Sequence, residues 1–239
     1  MTKQRPLAVF DIDGTLIRWQ LYHAIADTLV HLGFINTSTF QTAKDARMQW
    51  KRRSHPEAFK DYERTLVKIV DGALIHLSIK QYQIAVSGVF DEYKDQVYAF
   101  TRDLIKDLKA KNYLLLAISG SQDEIVEKIA AYWGFDDFVG STLVQKNGKF
   151  TGEKIVRGFN KHKILAELVA KHGLSYKNSI GVGDSDGDIS MLEMTEQPIA
   201  FNPEQKLFEF AKSRGWKIVI ERKNVVYKLS RKSGKYILQ

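Results

Sequence analysis

The run Leu7-Ala-Val-Phe10 passes directly into Asp11-Ile-Asp13-Gly14-Thr15, and an unbroken apolar stretch ending in two carboxylates leaves few folds open. Four apolar residues without alternation fit a short strand buried on both faces, the habit of parallel sheets covered by helices. In open α/β sheets, ligands collect at the C-terminal ends of the strands. Asp11 and Asp13 are therefore expected at a ligand-facing rim. Residues two apart on a strand share a face, so both point into the cleft if the backbone stays extended.

Two further segments repeat the arrangement. Leu114-Leu-Leu-Ala-Ile118 ends in Ser119-Gly120-Ser121, and Ser179-Ile-Gly-Val182 ends in Gly183-Asp184-Ser-Asp186-Gly-Asp188. Lys161 lies between them, on the first turn of a helix expected over 160–171. Each piece alone has an ordinary explanation, an N-cap for the serine or a turn for Asp-Gly. Their succession along one chain resembles the haloacid dehalogenase-like superfamily, in its phosphoserine-phosphatase-like branch. Its four motifs correspond to Asp11-Ile-Asp13-Gly-Thr15, Ser119, Lys161 and Gly183-Asp184-Ser-Asp-Gly-Asp188. Residues 142–152 resemble the family's hairpin before the lysine, and Asn202-Pro203 with Arg214-Gly-Trp216 its C-terminal signature.

The resemblance implies an α/β fold, a doubly wound, Rossmann-like parallel sheet with a small inserted helical cap, and phosphatase chemistry that the residues suit. A phosphate monoester repels nucleophiles, so its site must neutralise charge, supply an in-line nucleophile and protonate the leaving oxygen. Asp11 is the expected nucleophile, forming an aspartyl phosphate, and Asp13 the expected acid and base. Magnesium, a hard cation that favours oxygen ligands, is the expected cofactor. Its ligands would be Asp11, the carbonyl of Asp13, Asp184 and Asp188, the last directly or through water. Thr15, Ser119, the Gly120 amide and Lys161 would hold the phosphoryl oxygens. Asp184 and Asp188, four apart, are expected on one face of the helix that begins there.

An EF-hand over Asp184-x-Asp186-x-Asp188 is excluded, because loop position 6 is Ile189 instead of Gly and position 12 is Thr195 instead of Glu. A dehalogenase of the same superfamily has no need of an acid two residues after the nucleophile, and a P-type pump resembles the pattern with Thr there. Asp13 favours ester hydrolysis over both. Asp186 is read as a solvated turn carboxylate.

A chain of 239 residues accommodates one large domain and an insert. Without cysteine, disulfide scaffolds and thiolate metal sites are excluded. Lys3 and Arg5 precede an apolar run that stops at Asp11, which does not read as a signal peptide, and no stretch approaches the roughly 20 apolar residues of a membrane span. A cytoplasmic protein without membrane partners is expected; oligomeric state is open. Asn36-Thr-Ser38 reads as the polar loop after Gly33.

Between Asp13 and Ser119, periodicity is helical. Leu21, Ile25, Leu29 and Leu32 mark one helix, Phe59, Tyr62, Leu66 and Ile69 a second, and residues 79–89 a third. Residues 18–90 are assigned to the cap, and 1–17 with 91–239 to the core. The core is expected to resume with helix 94–111, strand 114–118, helix 123–133, a short strand at 138–139, and strands at 179–183, 198–201 and 217–220.

Substrate identity belongs to the cap, which would exclude water and contact the leaving group. Phosphoserine phosphatases place there a Glu and an Arg that hold the amino acid. This chain has Gln20 and Leu66 at those places, with Arg64 nearby, and Gly187 where Asn is usual. Trp19, Tyr22, Trp50 and Lys51-Arg52-Arg53 either line a pocket for an aromatic or anionic leaving group or are core aromatics and a solvated helix end. The partner expected is a small-molecule phosphate ester. Of the formal charge of +8, seven units fall within residues 204–239. That segment keeps open a nucleic-acid or polyanion surface, against an amphipathic tail packing Val226, Leu229 and Ile237 on the core. Transfer of the phosphoryl group to an acceptor other than water is a third possibility.

Overall fold

A computed structural model describes residues 4–238; Lys3 and Gln239 lie outside the described residues. β1 (Leu7–Phe10) precedes four helices, α1 (Leu21–His31), α2 (Thr37–Lys51), α3 (Ala58–Leu74) and α4 (Ile79–Tyr93). There follow α5 (Ala99–Ala110), β2 (Leu114–Gln122), α6 (Asp123–Trp133), and the hairpin of β3 (Asp137–Lys146) and β4 (Lys149–Ile155). The chain ends with α7 (Lys161–Lys171), β5 (Ile180–Gly183), α8 (Ile189–Leu192), β6 (Gln197–Phe201), α9 (Gln205–Arg214), β7 (Lys217–Arg222), β8 (Val225–Lys232) and β9 (Lys235–Leu238).

Contacts divide the chain into two compact units, one running up to Gln20, over Tyr93–Ser141 and from Val156 onward, the other comprising Leu21–Glu92 and Thr142–Ile155. In the first, β3, β2, β1, β5, β6 and β7 lie side by side in that order and pair in parallel. The order reverses beside β1: the chain steps to β2 and β3 on one side and to β5, β6 and β7 on the other. Such a switch point opens a crevice at the strand ends. All four residues of β1 are fully buried, as the unbroken apolar run requires. Leu7 and Val9 pack with Leu116, Ile118, Leu165 and Leu192 in one core. β8 and β9 extend the sheet antiparallel, and Leu229 and Tyr236 pack half-buried on that core. The C-terminal segment is thus sheet, with Ile237 exposed, contrary to its expected burial.

In the second unit, Ala58, Tyr62, Leu66, Val70 and Leu74 recur every four residues on α3, and all are buried. The buried stripe lies one residue from part of the expected one, since Ile69 is only half-buried. Residues 142–155, expected in the core, group with the helices. Phe150 meets the ring of Tyr82 edge-on at 5.3 Å, and Lys154 pairs with Asp71. Asn36, read as loop, is the N-cap of α2: its side chain accepts the Ser38 amide at 2.8 Å. The helix expected from residue 94 starts at Ala99, where the Glu221 carboxylate accepts the Ala99 and Phe100 amides at 3.0 and 2.8 Å. A fixed anion there satisfies two orphan donors and the helix dipole together.

Candidate active site

Asp11 follows the last residue of β1, its amide bonded to Val182 O of β5 at 3.0 Å. Two residues on, the chain folds back. Gly14 (φ +76°) donates to Ile17 O at 3.0 Å. A Cβ at Gly14 would collide with the Asp184 carboxylate, so glycine serves both the left-handed turn and the close approach. Thr15 donates its hydroxyl to Asp184 Oδ1 at 3.3 Å.

Ser119 ends the extended part of β2, where the register with β3 shifts between Ile118 and Gln122. Its buried hydroxyl donates to Asp13 Oδ2 at 2.7 Å and accepts the Ser121 amide at 2.9 Å. Gly120 beside it is exposed. Its backbone leaves no more than contact distance to Gly158 of the loop before α7, so two facing glycines bring that loop close to Ser119.

Lys161 opens α7 and is 3% exposed. Its ammonium lies 2.6 Å from Asp11 Oδ1 and 2.6 Å from Asp188 Oδ1. Burial alone would lower this ammonium, but the two carboxylates hold it above the usual lysine range. The second oxygen of Asp188 accepts the amides of Asp184 and Ser185 at 3.0 and 2.9 Å and the Ser185 hydroxyl at 3.0 Å. Asp188 therefore closes a capping box with Ser185 on a single 3₁₀ turn, residues 186–188, ahead of α8. Asp184 and Asp188 do not share a helix face as expected. Asp184 precedes the turn, and the backbone folds back because Asp188 caps it. Gly183 makes room: a Cβ there would sit 2.5 Å from the Asp188 Cβ and Cγ.

The structure thus gathers Asp11, Asp13, Thr15, Ser119, Lys161, Asp184 and Asp188 through these contacts, with Gly120 at the rim. Carboxylate oxygens of Asp11, Asp184 and Asp188 lie within 4.8 Å of one another. Burial, together with Asp188 and Asp13, pushes Asp11 up to about 7 against the pull of Lys161. Burial and repulsion from Asp11 and Asp188 likewise hold Asp184 well above the ordinary carboxylate range. Three converging acids face one ammonium, so their full ionisation would leave negative charge uncompensated, and all their ligand atoms are hard oxygens. The residues fit a divalent oxophilic cation such as magnesium. One oxygen of the Asp13 carboxyl accepts the Ser119 hydroxyl, while its charge still acts on Asp11 and Asp184. Ser185, which fixes Asp188, was missed in the sequence, although Ser-x-x-Asp is a capping signature.

Trp50 and Leu66 are packing residues, and the cationic candidates are solvated. Trp50 stacks on Tyr62 at 5.7 Å and contacts Phe59, while Lys51, Arg52 and Arg53 are exposed. Leu66 is fully buried, and Arg64 projects from α3, 73% exposed, toward Asp61. A Cβ at Gly187 would meet only ordinary contacts, so nothing steric requires glycine there. No helix among the described residues is long and apolar enough to cross a membrane.

Comparison with known proteins agrees with this geometry. The family model described as haloacid dehalogenase-like hydrolase matches residues 8–193. Phosphoserine phosphatase of Methanocaldococcus jannaschii is 26% identical over 204 residues, 84% of this chain and 87% of that protein. Histidinol-phosphatase of Neisseria meningitidis serogroup C is 24% identical over 227 residues, 89% of this chain and 97% of that one. The solved structure of a phospho-aspartyl intermediate analogue of phosphoserine phosphatase superposes with a TM-score of 0.63 at 25% identity, covering 92% of this chain and 95% of that one.

Proposed function

Because the chain belongs to the family of haloacid dehalogenase-like hydrolases, we propose that this phosphatase hydrolyses a small-molecule phosphomonoester through a phosphorylated Asp11, with magnesium as cofactor. The observation that carries the proposal is Lys161 held at 2.6 Å from both Asp11 and Asp188 while the neighbouring Asp13 accepts the Ser119 hydroxyl. Asp11 is thereby kept beside cationic charge as the nucleophile, and Asp13, two residues on, is offered as the acid and base.

In the first step an Asp11 oxygen attacks phosphorus, the bond to the ester oxygen breaks, and Asp13 gives its proton to the leaving alkoxide. In the second, Asp13 takes a proton from water as the water oxygen attacks phosphorus, releasing phosphate and restoring Asp11. Lys161 places a compact charge beside the developing phosphoryl negative charge, and Ser119, Thr15 and the Gly120 amide orient the phosphoryl oxygens. A magnesium ion held by Asp11, Asp184, Asp188 and the Asp13 carbonyl would supply the remaining charge neutralisation. Ser185 holds Asp188 so that one oxygen always faces Lys161.

The two curated relatives are named for different substrates, phosphoserine and histidinol phosphate, so the substrate is best sought by a screen of metabolite phosphates. Phosphate release is measured with and without magnesium, and phosphorylated Asp11 is sought by rapid acid quench and mass spectrometry. Magnesium-dependent turnover with phosphate on Asp11 is expected. Turnover undiminished in Asp11→Asn would overturn the mechanism.

A further inference from the structure

A recess lies at the ends of β6 and β7, wholly within the first unit. Arg18, Tyr98, Asn202, Pro203, Phe208 and the β7 end Ile220-Glu221-Arg222, with Lys223, line a cavity of about 490 Å³. That volume falls in the range of small-molecule pockets.

Its charge is one-sided. Glu221 is its lone acid, and both its oxygens are already taken by the Ala99 and Phe100 amides. Arg18, Arg222 and Lys223 are exposed and make no ion pair among the described residues. Arg18 lies over the Tyr98 ring at 5.5 Å. The floor is fixed: Asn202, held at φ +42°, accepts the Glu221 amide at 2.8 Å, and its own amide bonds Val219 O at 2.8 Å. Tyr98, Phe208, Pro203 and Ile220 add apolar surface. Three cations around an apolar floor suit an oxyanion carried on an organic body.

The recess is coupled to the candidate active site by short connections. Asn202 and Pro203 lead to Glu204, whose amide bonds Asp184 O at 2.8 Å and whose carboxylate accepts the Asp186 amide at 2.8 Å. Arg18 follows the Asp11–Thr15 turn. The floor of the recess sits at the ends of β6 and β7, two to three strands from β1, which at ~4.8 Å per strand is roughly 10–14 Å from the end of β1.

The geometry points to a second anion subsite, at which Arg18, Arg222 and Lys223 bind a phosphate or carboxylate group borne on an apolar body. That group belongs either to the far end of the substrate, which rests on the phosphatase function proposed above, or to a separate small molecule.

The test is a titration of the full chain with benzylphosphonate, followed by backbone amide NMR, together with turnover of alkanediol bisphosphates of increasing length against the matching monophosphates. Shifts are expected at Asn202, Glu221, Arg222 and Lys223, separate from those at Asp11 and Gly183, with affinity falling about tenfold or more in Arg222→Ala/Lys223→Ala. They should persist in Asp11→Asn, so the binding result stands whether or not hydrolysis does. A substrate-borne anion gives a preference for bisphosphates spanning roughly 10–14 Å, lost in the double variant. A separate anion gives the shifts without that preference. Absence of shifts at the four residues, or shifts indifferent to the double variant, would overturn the proposal.

Discussion

Replacing Lys161 with methionine keeps the length of the side chain and removes its charge from between two buried carboxylates. Both contacts are 2.6 Å, and the lysine is 3% exposed. Breaking a buried ion pair from one side costs about 3–5 kcal/mol, because the remaining charge has lost its partner. In a chain of this size, about 1 kcal/mol corresponds to roughly 2–4 °C in melting temperature, so a fall of roughly 6–20 °C is expected at alkaline pH. The cost must depend on pH. Asp11 is an acid raised from an ordinary 3.8 to about 7. Between those values the folded chain holds a proton that the unfolded chain has released, so stability of the metal-free protein falls as pH rises through that window. Lys161 opposes the rise. Its removal lets Asp11 keep the proton to higher pH, and the fall continues beyond 7. The gap between wild type and Lys161→Met should therefore widen above pH 7, by at most about 1.4 kcal/mol per unit for each proton retained. Urea denaturation followed by circular dichroism in chelator at pH 5.5, 7 and 8.5 measures this. A penalty under about 1 kcal/mol at pH 8.5, or one that grows on acidification, would refute the argument.

Further outcomes follow from the same structure. Asp11→Asn should abolish phosphate release, while Asp13→Asn should slow it by about 10²- to 10⁴-fold, both read from steady-state kinetics. Gly183→Ala should push Asp188 from its cap, with about 1–3 kcal/mol lost in urea melts and a drop in kcat, since the added methyl would lie 2.5 Å from Asp188. With Leu66 buried and Arg64 turned to solvent, free phosphoserine should be turned over several hundred-fold less efficiently than the best substrate of the screen, and Arg64→Ala should leave kcat/KM within about twofold. Tyr236→Phe, which removes the one hydroxyl proton shared between Ala211 O and Trp216 O at 3.1 and 2.8 Å, should cost about 0.5–1.5 kcal/mol. If β8 and β9 serve only this packing, any RNA binding by the full chain should show a log–log salt slope near zero instead of about −0.7 per phosphate.

The residues most legible in the sequence were those whose neighbours dictate their placement. Asp11 and Ser119 end apolar runs that can only be buried strands, and Lys161 opens a helix with a regular apolar stripe. Local pattern failed where a distant partner decides. α2 buries only Phe40 and Ala43, too few to announce a helix, and is fixed from outside by Arg47, which bonds Asp27 of α1 and Tyr62 of α3. The start of α5 is set by Glu221, more than a hundred residues away. The nearness of Asp184 to Asp188 was expected for the wrong reason, since a capping contact replaces a shared helix face.

The division of the second unit between Leu21–Glu92 and Thr142–Ile155 bears on how this chain is made. The polypeptide passes between the units four times, not twice, and the ring that meets Tyr82 belongs to Phe150. During synthesis the helices α1 to α4 emerge first, yet they must wait for α5, β2, α6 and half of β3 before the piece that completes their interior leaves the ribosome. Domains generally fold as units in order of emergence, but this one is interleaved with its host. In evolution, too, it cannot be exchanged as a single cassette: a transplanted insert would have to bring its hairpin with it, at a second splice site.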